Sequence, residues 1–304
     1  MNKIDVFINK SGGSVLRLGE EKVSALLKEA LGDRIGDLAF IESGDLTNTL
    51  DKIANKNPLL IGGGDGTAVC AAQILGPRGI PFGVLPLGTM NLLAQDLGSH
   101  PTFEQTLSAF DDVKVDRIDV GIVNGKMFLC SAVIGFVPES AVAREELREE
   151  TSLAALTKFL STIKRGMSGD MKETLYLQGK DTDEPFPLET TALIVSNNRF
   201  VQNGADPAAG RFLRESLKDG KLAVYSAAPQ SVLDGLKIAF SMWQGNWQDN
   251  ESILSFEAEE LIVSTQDRKI LISLDGEPVE IKSPLRFSVQ RQSIPVLRLN
   301  MRVT

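Results

Sequence analysis

A glycine-rich turn carries an acid at the point where a strand gives way to a helix. The segment GGGDGT (62–67) follows the apolar run 59–61 and precedes an apolar stretch with helical spacing. Glycines let a phosphate approach backbone N–H groups, and the start of a helix attracts an anion. Asp65 would repel a phosphate unless it holds magnesium or takes a proton from an attacking hydroxyl, so it is a candidate ligand or base. The alternatives are that Asp65 only caps the helix, and that Thr67 is a cap or a phosphate contact.

A second turn repeats this design further along the chain. Residues 88–91 (GTMN) follow the apolar segment PFGVLP (81–86) and precede another apolar stretch. The carboxyl ends of parallel strands meet at one edge of a sheet, where open α/β sheets bind ligands. We therefore expect the two turns to face each other and to form a nucleotide site, with a helix capped by Thr89 as the alternative. Neither turn has the spacing of the P-loop or of the dinucleotide-binding fingerprint.

The supply of reactive side chains excludes several other chemistries. The chain of 304 residues has one histidine, His100, and two cysteines, Cys70 and Cys130, which disfavours zinc sites and catalysis by a Ser-His-Asp or Cys-His arrangement. We expect His100 at the surface and both cysteines buried as free thiols. The net charge of −8 disfavours nucleic acid as a partner. No run approaches the roughly 18 apolar residues of a transmembrane segment, so we expect a cytoplasmic protein.

The order of elements predicts where these turns lie. Through the first third of the chain, strands alternate with amphipathic helices, which is typical of a parallel sheet covered on both faces. From residue 119 the pattern changes to short β-rich runs, beginning with a hairpin that turns at Asn124-Gly125. A helical stretch is expected around 139–166, and the remaining runs predict an antiparallel second domain. The strands predicted in the first third are residues 3–10, 37–43, 59–64 and 81–86.

The two glycine turns together resemble a known family. GGGDGT (62–67) combined with PLGTMNLLAQDLG (86–98) is similar to the diacylglycerol kinase catalytic domain superfamily, which includes bacterial soluble lipid kinases and is related to NAD kinases. The GGDGT element alone is shared with NAD kinases, whereas the combination with P-x-G-T-x-N is more specific to the lipid kinases. Four further segments resemble parts of the same family: INKSGG (8–13), DRIDVGIVNGKMFLCSAVIGF (116–136), RESLKDGKLAV (214–224) and SLDGEP (273–278).

The resemblance implies an architecture and an activity. It implies an N-terminal Rossmann-like α/β domain with a parallel sheet, formed by residues 1–118 and 285–304, and a C-terminal antiparallel β-sandwich domain of residues 119–284 that completes the cleft. The implied activity is Mg²⁺- and ATP-dependent transfer of the γ-phosphate to a hydroxyl of a diacylglycerol- or sphingosine-like lipid. Such a lipid would be reached at the membrane surface, which adds a peripheral location at the inner membrane. The resemblance leaves the formation of a homo-oligomer open.

The resemblance also implies roles for individual residues. Asp65, Asp119 and Glu277 would be the catalytic acids, with Asp119 assisting placement of metal or nucleotide. A structural magnesium ion would be held by Asp219 together with the carbonyls of Ser216 and Lys221, for which a simple β-turn is the alternative. The residues that bind the nucleotide would be Asn9, Gly63, Gly64, Gly66, Thr67, Gly88, Thr89 and Asn91.

The chain departs from the family pattern at several positions. The family continues GGDGT with x-N-E, whereas this chain has Ala68-Val69-Cys70, and it has Leu92 where many relatives carry an aspartate. These departures motivate one alternative, a non-catalytic sensor that binds nucleotide or lipid. The other alternative is a kinase for a soluble hydroxyl compound, similar to NAD kinase, which the missing N-E pair disfavours. The segment 152–167 has an apolar stripe with basic neighbours, which predicts either lipid contact or packing on the second domain.

Overall fold

Two compact units make up the chain. The computed structural model describes residues 3–54, 57–136, 138, 161–166, 168–180, 184–201, 213–244 and 250–301. Unit 1 is Met1–Val120, Ala208–Leu213 and Arg291–Thr304, and unit 2 is Gly121–Pro207 and Arg214–Gln290. Two of the divisions between the units fall within long strands, Phe110–Val123 and Leu285–Met301. The predicted boundaries at 118/119 and 284/285 lie a few residues from these divisions, because an alternating pattern gives no break inside a continuous strand.

Unit 1 contains a mainly parallel sheet. Its strand order is β2-β1-β3-β4, all parallel, and the later part of β16 lies beside β4 with Val296 opposite Phe82. Each of the four parallel strands corresponds to a predicted one, so the α/β class expected from the alternating pattern is confirmed. The strands that contribute to this unit are β1 Ile4–Asn9, β2 Ile35–Ile41, β3 Leu59–Gly63, β4 Phe82–Pro86, β5 Phe110–Val123 and β16 Leu285–Met301.

The helices of unit 1 follow the apolar spacing of the sequence. In α2, Val23, Leu27 and Leu31 recur every fourth residue and are buried, and the helix ends at Gly32, which has a φ of 55°. These residues join the strand side chains in one hydrophobic core. The helices are α1 Gly13–Leu18, α2 Glu20–Leu31, α3 Leu46–Asp51, α4 Asp65–Leu75, α5 Leu92–Asp96 and α6 Phe103–Ala109, with short 3₁₀ turns at Gly32–Arg34 and Ser43–Asp45.

Unit 2 contains two antiparallel arrangements of strands. One is a six-stranded sheet in the order β12-β11-β10-β7-β14-β15, and the other pairs the early part of β16 with β13, β8 and β9 in turn. The hairpin of β5 and β6 turns at Asn124-Gly125 as predicted, with φ angles of 46° and 81°. The remaining elements are β6 Lys126–Phe128, β7 Ser131–Gly135, β8 Glu173–Gly179, β9 Phe186–Thr190, β10 Ala192–Asn197, β11 Leu222–Ala227, α7 Val232–Gln244, β12 Ile253–Ala258, β13 Glu260–Ser264, β14 Lys269–Leu274 and β15 Glu277–Lys282.

Both arrangements of strands contribute to a single core in unit 2. Leu193 and Ile272 of the six-stranded sheet and Leu177 and Val263 of the other arrangement belong to the same cluster of buried side chains. Phe128 and Phe287 meet edge to face in this cluster, with ring centroids 6.3 Å apart. Packing of two antiparallel faces on one core confirms the predicted β-sandwich.

Several smaller expectations can be compared with the described residues. His100 is exposed and neither cysteine is in a disulfide, but only Cys130 is buried. Cys70, on α4, is partly exposed, and its thiol lies 3.5 Å from the hydroxyl of Thr47 on α3. Residues 161–166 are helical, whereas the rest of the predicted helix at 139–166, including residues 152–160 of the apolar stripe, lies outside the described residues. Among the described residues, no helix is both long and apolar enough to span a bilayer.

Candidate functional site

Three neighbouring strands of unit 1 deliver the predicted nucleotide residues to one edge of the sheet. The register pairs Ile8 with Gly62 and Gly63 with Pro86, so β1, β3 and β4 end side by side. Asn9 is the last residue of β1, and the two glycine turns follow β3 and β4 directly. Parallel pairing alone therefore brings residues that are far apart in the sequence to the same carboxyl edge.

The two glycine turns touch each other through their backbones. A β-carbon built on Gly88 would lie less than 3.0 Å from the Cα atom of Gly64, and one built on Gly64 would lie 3.3 Å from the Cα atom of Gly88. The backbone N–H of Leu87 also donates to the carbonyl of Gly63 at 3.1 Å. At position 88 only glycine permits this approach, because a β-carbon there would occupy the space of the facing backbone. The turns therefore face each other, as expected.

Asp65 connects the first turn to the second. It is the first residue of α4, and its Oδ1 accepts a hydrogen bond from the backbone N–H of Leu93 in α5 at 3.3 Å. Burial raises the pKa of the Asp65 carboxyl, and the backbone N–H groups of Leu93, Leu92 and Asn91 partly oppose this rise. The interpretation of Asp65 as a cap of its own helix is therefore wrong, since its carboxylate points to the other turn. A carboxylate with a raised pKa is a better proton acceptor than an ordinary one.

Thr67 packs against the first turn and binds Asn9. Its hydroxyl accepts a hydrogen bond from the side-chain N–H of Asn9 at 3.1 Å, and its side chain occupies the space that a β-carbon on Gly63 would need. The residue preceding α4 is Gly64, so the interpretation of Thr67 as a helix cap is wrong. Asn9 in turn accepts from the hydroxyl of Ser43 at 2.8 Å. Asn9 and Thr67 are therefore brought together as one support for the turn.

Asn91 shapes the second turn with both ends of its amide. Its Oδ1 accepts from the backbone N–H of Gly88 at 2.8 Å, and its Nδ2 donates to the carbonyl of Gly88 at 2.9 Å. Asn91 is 4% exposed and adopts a left-handed φ of 52°, which asparagine tolerates better than most residues. Because of this conformation α5 begins only at Leu92, with Asn91 as the residue before it. The prediction of a helix that begins at Thr89 and is capped by Thr89 is therefore wrong. Thr89 itself is exposed.

Replacing Asn91 by alanine is expected to lower the free energy of unfolding by about 2–3 kcal/mol, because two hydrogen bonds are lost and alanine is disfavoured at this φ. Asn91→Gly loses the same bonds without the φ penalty, so a loss of about 1 kcal/mol is expected. Urea unfolding followed by circular dichroism measures both values. Asn48→Ala, at an exposed position of α3, is the matched control. Equal losses for the alanine and glycine variants would contradict the contribution assigned to φ.

Asp119 lies inside a strand of unit 1. It is fully buried in β5, and its Oδ1 accepts from the backbone N–H of Gln292 at 2.7 Å, where Gln292 has a φ of 43°. This bond stabilises an unusual backbone conformation in β16. The structure thus shows a supporting contact for Asp119, and its assistance to metal or nucleotide stays a prediction.

The remaining predicted residues belong to unit 2. Glu277 is exposed at the first position of β15. Ser216 Oγ accepts from the backbone N–H of Lys218 at 3.0 Å, and the carbonyl of Lys221 accepts from the backbone N–H of Asn198 at 3.0 Å. Asp219 is exposed in the same loop. No group of three or more histidine, cysteine, aspartate or glutamate side chains within the described ranges could hold a metal ion.

The sequence did not predict two residues of unit 2 whose side chains bind distant backbone groups. Asp275, which precedes Glu277 by two positions, accepts three backbone hydrogen bonds from residues 129–131. Arg214 is 7% exposed and donates to the backbone carbonyls of Leu129 and of Asn197 in β10. The D-G-E spelling of residues 275–277 was the available signal for Asp275, but it does not reveal partners about 145 positions away.

The fold and the paired turns define an α/β protein with a glycine-turn site, and comparison with known proteins shows what the chain is similar to. Residues 3–123 match the model of the family described as "Diacylglycerol kinase catalytic domain". The matched range includes both glycine turns and Asp119. The resemblance inferred from GGGDGT and PLGTMN is thereby confirmed.

Three similar proteins extend this result over more of the chain. "Uncharacterized protein sll0036" of Synechocystis is 25% identical over 74% of this chain, which covers about half (52%) of that longer protein. "Probable lipid kinase YegS-like" of Pseudomonas aeruginosa is 28% identical, with 91% of this chain and 90% of that protein covered. The solved structure of "a putative diacylglycerol kinase from Bacillus anthracis str. Sterne" has a TM-score of 0.71 at 20% identity and covers 98% of this chain and 95% of that one. The last similarity shows a shared fold.

Proposed function

We propose that this protein is an ATP-dependent lipid kinase, which transfers the γ-phosphate of ATP to a hydroxyl of a diacylglycerol- or sphingosine-like lipid. The observation that carries the proposal is the contact between the two glycine turns, with the Asp65 carboxylate crossing from one turn to the other. The match of residues 3–123 to the kinase family model and the similarity to proteins named as lipid kinases support it. The described residues contain no membrane-spanning helix, so a lipid would be taken from the surface of a bilayer.

The first turn has the chemistry of a phosphate site. The N-terminal N–H groups of α4 lack partners within the helix, and Gly64 places no capping side chain over them. The eleven residues of α4 also align peptide dipoles that favour an anion at this end. The missing β-carbons of Gly63 and Gly64 make room for Thr67 and for the facing Gly88, and Asn9 and Thr67 support the turn through their hydrogen bond. We assign the phosphates of ATP to this turn, with Gly66, Gly88, Thr89 and Asn91 as the other residues of the nucleotide site.

The proton of the accepting hydroxyl needs a base. As the hydroxyl oxygen forms its bond to the γ-phosphorus, the bond to the ADP oxygen breaks and the hydroxyl proton passes to a carboxylate. Asp65, with its raised pKa, and the exposed Glu277 are the two proposed acceptors, and a positioned base contributes about 10²–10⁴-fold to such reactions. Asp119 is proposed to support the nucleotide through the backbone that it holds.

Magnesium would neutralise phosphate charge when bound, as it does in other phosphoryl transfers. The oxygens of this loop are of the type that Mg²⁺ takes, namely one carboxylate and backbone carbonyls. We propose that Asp219, with the carbonyls of Ser216 and Lys221, holds a structural ion, and that Asp65 contacts the ion that accompanies ATP. The carbonyl of Lys221 already accepts one hydrogen bond and keeps a second lone pair for this purpose.

Incubation with γ-labelled ATP and Mg²⁺ is expected to label lipids from a total extract but not NAD, and EDTA is expected to stop the transfer. Glu277→Gln is expected to lower the rate by about 10²-fold or more, because a positioned carboxylate is lost. Its matched control is Glu280→Gln on the same strand, whose exposed ion pair with Lys269 contributes little.

Two outcomes would favour one of the alternative functions, and a third would contradict the role of Glu277. Transfer to NAD or another soluble hydroxyl would replace the lipid kinase by the soluble-acceptor kinase. Binding of ATP with no transfer to any acceptor would favour a sensor, the alternative suggested by Val69, Cys70 and Leu92. Equal rates for Glu277→Gln and Glu280→Gln would remove Glu277 from the reaction.

A further inference from the structure

The side chain of Asp275 binds the backbone N–H groups of residues 129–131 in unit 2. Asp275 Oδ1 accepts hydrogen bonds from the N–H groups of Cys130 at 2.7 Å and Ser131 at 2.9 Å, and its Oδ2 accepts from the N–H of Leu129 at 2.7 Å. Its own N–H donates to the carbonyl of Ser131 at 2.9 Å. Burial raises the pKa of Asp275, while the three amides oppose the rise. This carboxylate is thus committed to residues 129–131.

An arginine holds the same segment on its carbonyl side. The buried Arg214 donates to the carbonyl of Leu129 and to the carbonyl of Asn197, the latter at 3.1 Å. Its Nη2 lies 3.8 Å from the thiol of Cys130, and its charge lowers the pKa of Asp275. We call Asp275, Arg214 and residues 129–131 the clamp. The clamp joins β7, β10 and β14 through side chains that come from two loops.

The clamp lies next to the turn that precedes Glu277. Asp275 and Gly276 form the two-residue turn between β14 and β15, with φ angles of 49° and 95°, and Leu274 pairs with Glu277. A short turn of this kind fixes the register of its strands, and β14 also pairs with β7 as far as Leu274 opposite Ala132. The three hydrogen bonds of Asp275 tie the tip to residues 129–131, two positions before Glu277.

We propose that Asp275 is a positioning residue that orients Glu277, and that Arg214 supports it by holding residues 129–131. This inference rests on the proposed function, in which Glu277 serves the phosphoryl transfer. In Asp275→Asn the side-chain NH₂ replaces one of the two carboxylate oxygens. It would face either the N–H of Leu129 or the N–H groups of Cys130 and Ser131, so at least one hydrogen bond is lost because two donors then face each other. The residues of the clamp would then separate even where the strands remain paired.

The thiol of Cys130 reports on the clamp without any activity measurement. Cys130 is 4% exposed, and in a Cys70→Ser background it is the sole cysteine of the chain. Labelling by a soluble aromatic disulfide is expected to be slow in this parent and at least about 10-fold faster in Asp275→Asn, because opening of the clamp uncovers the thiol. Arg214→Lys, which keeps the charge but loses the planar fork, is expected to give an intermediate rate.

Two controls make this labelling experiment decisive. Asp267→Asn, at an exposed position before β14, is expected to label at the parental rate. Thermal unfolding of every variant shows whether faster labelling reflects global unfolding; if Asp275→Asn does not fold, Arg214→Lys carries the comparison. Parental labelling rates in folded Asp275→Asn or Arg214→Lys would overturn the clamp.

The link to Glu277 is tested by combining substitutions. If Asp275 acts through Glu277, adding Asp275→Asn to Glu277→Gln is expected to cost less than about twofold further in the rate of transfer, whereas Asp275→Asn alone costs about 10-fold or more. Multiplication of the two losses would overturn the positioning role, since a general structural defect acts on any background. Absence of transfer by the unsubstituted protein would remove the proposed function and the positioning role together, and labelling of Cys130 would still decide whether the clamp exists.

Discussion

Asp65→Asn is expected to abolish phosphoryl transfer and, at the same time, to make the folded protein more stable at pH 7. The asparagine oxygen can still accept from the N–H of Leu93, so this hydrogen bond between α4 and α5 is kept. The carboxylate charge is lost, and with it the proposed contact to magnesium and one of the two proposed proton acceptors. A loss of at least about 10²-fold in rate is expected on the scale of general base catalysis.

The gain in stability follows from the direction of the pKa shift. Burial raises the pKa of Asp65 above its ordinary value of 3.8, so the folded state prefers the neutral acid. Stability from this preference is complete below the ordinary pKa and is lost as the pH rises through the raised pKa. Asparagine never ionises, so its advantage over aspartate is expected to be largest at neutral pH and to shrink toward pH 4.

Thermal unfolding between pH 4 and pH 8, combined with the labelled-ATP assay, measures both effects on the same preparations. Asp51→Asn is the matched control, because Asp51 is exposed on a helix of the same unit. A melting temperature that falls in Asp65→Asn at pH 7, or a difference that grows toward acid pH, would contradict the raised pKa. Undiminished transfer by the folded variant would remove Asp65 from the mechanism.

The meeting of the two glycine turns could be predicted from the sequence because it needs only local patterns. Alternating strands and helices give parallel pairing, and parallel pairing places the ends of β3 and β4 together. The start of α5 could not be predicted in the same way. Its position depends on the left-handed conformation of Asn91, and the apolar spacing of a helix carries no information about one residue that delays it.

The side-chain contacts of the acids could not be predicted, because their partners are distant in the sequence. Asp119 bonds to Gln292, and Asp275 bonds to residues 129–131. A motif shows that an acid is present but not whether its oxygens are free for a ligand or committed to backbone amides. For Asp119 and Asp275 the structure shows such commitments, whereas Glu277 is exposed. Within the D-G-E motif, Asp275 is therefore bound to backbone amides, whereas Glu277, two residues later, is exposed.

Alanine substitutions at three glycines are expected to form a graded series that tests the contact between the turns. At Gly88 the new β-carbon would lie less than 3.0 Å from the backbone of Gly64, so the turns must separate, since no rotation of a side chain can relieve the contact. We expect a loss of about 1–3 kcal/mol in the free energy of unfolding, as for overpacked cores, and loss of ATP binding. At Gly64 the distance is 3.3 Å, and a shift of a few tenths of an ångström gives a smaller loss of both.

Gly44→Ala is the matched control for this series. Nothing lies within 4 Å of a β-carbon at Gly44, and its φ is not positive, so the substitution is expected to be neutral or stabilising by about 0.5 kcal/mol. Urea unfolding and calorimetric titration with a non-hydrolysable ATP analogue measure the two effects separately. The decisive comparison is the order of the variants. If Gly88→Ala binds the analogue as tightly as Gly44→Ala, the phosphates do not need the turns in contact, and the nucleotide cannot be held by the pair of turns as proposed. If Gly88→Ala stays folded and loses binding while Gly64→Ala loses it in part, the spacing between two backbones sets the affinity for the nucleotide.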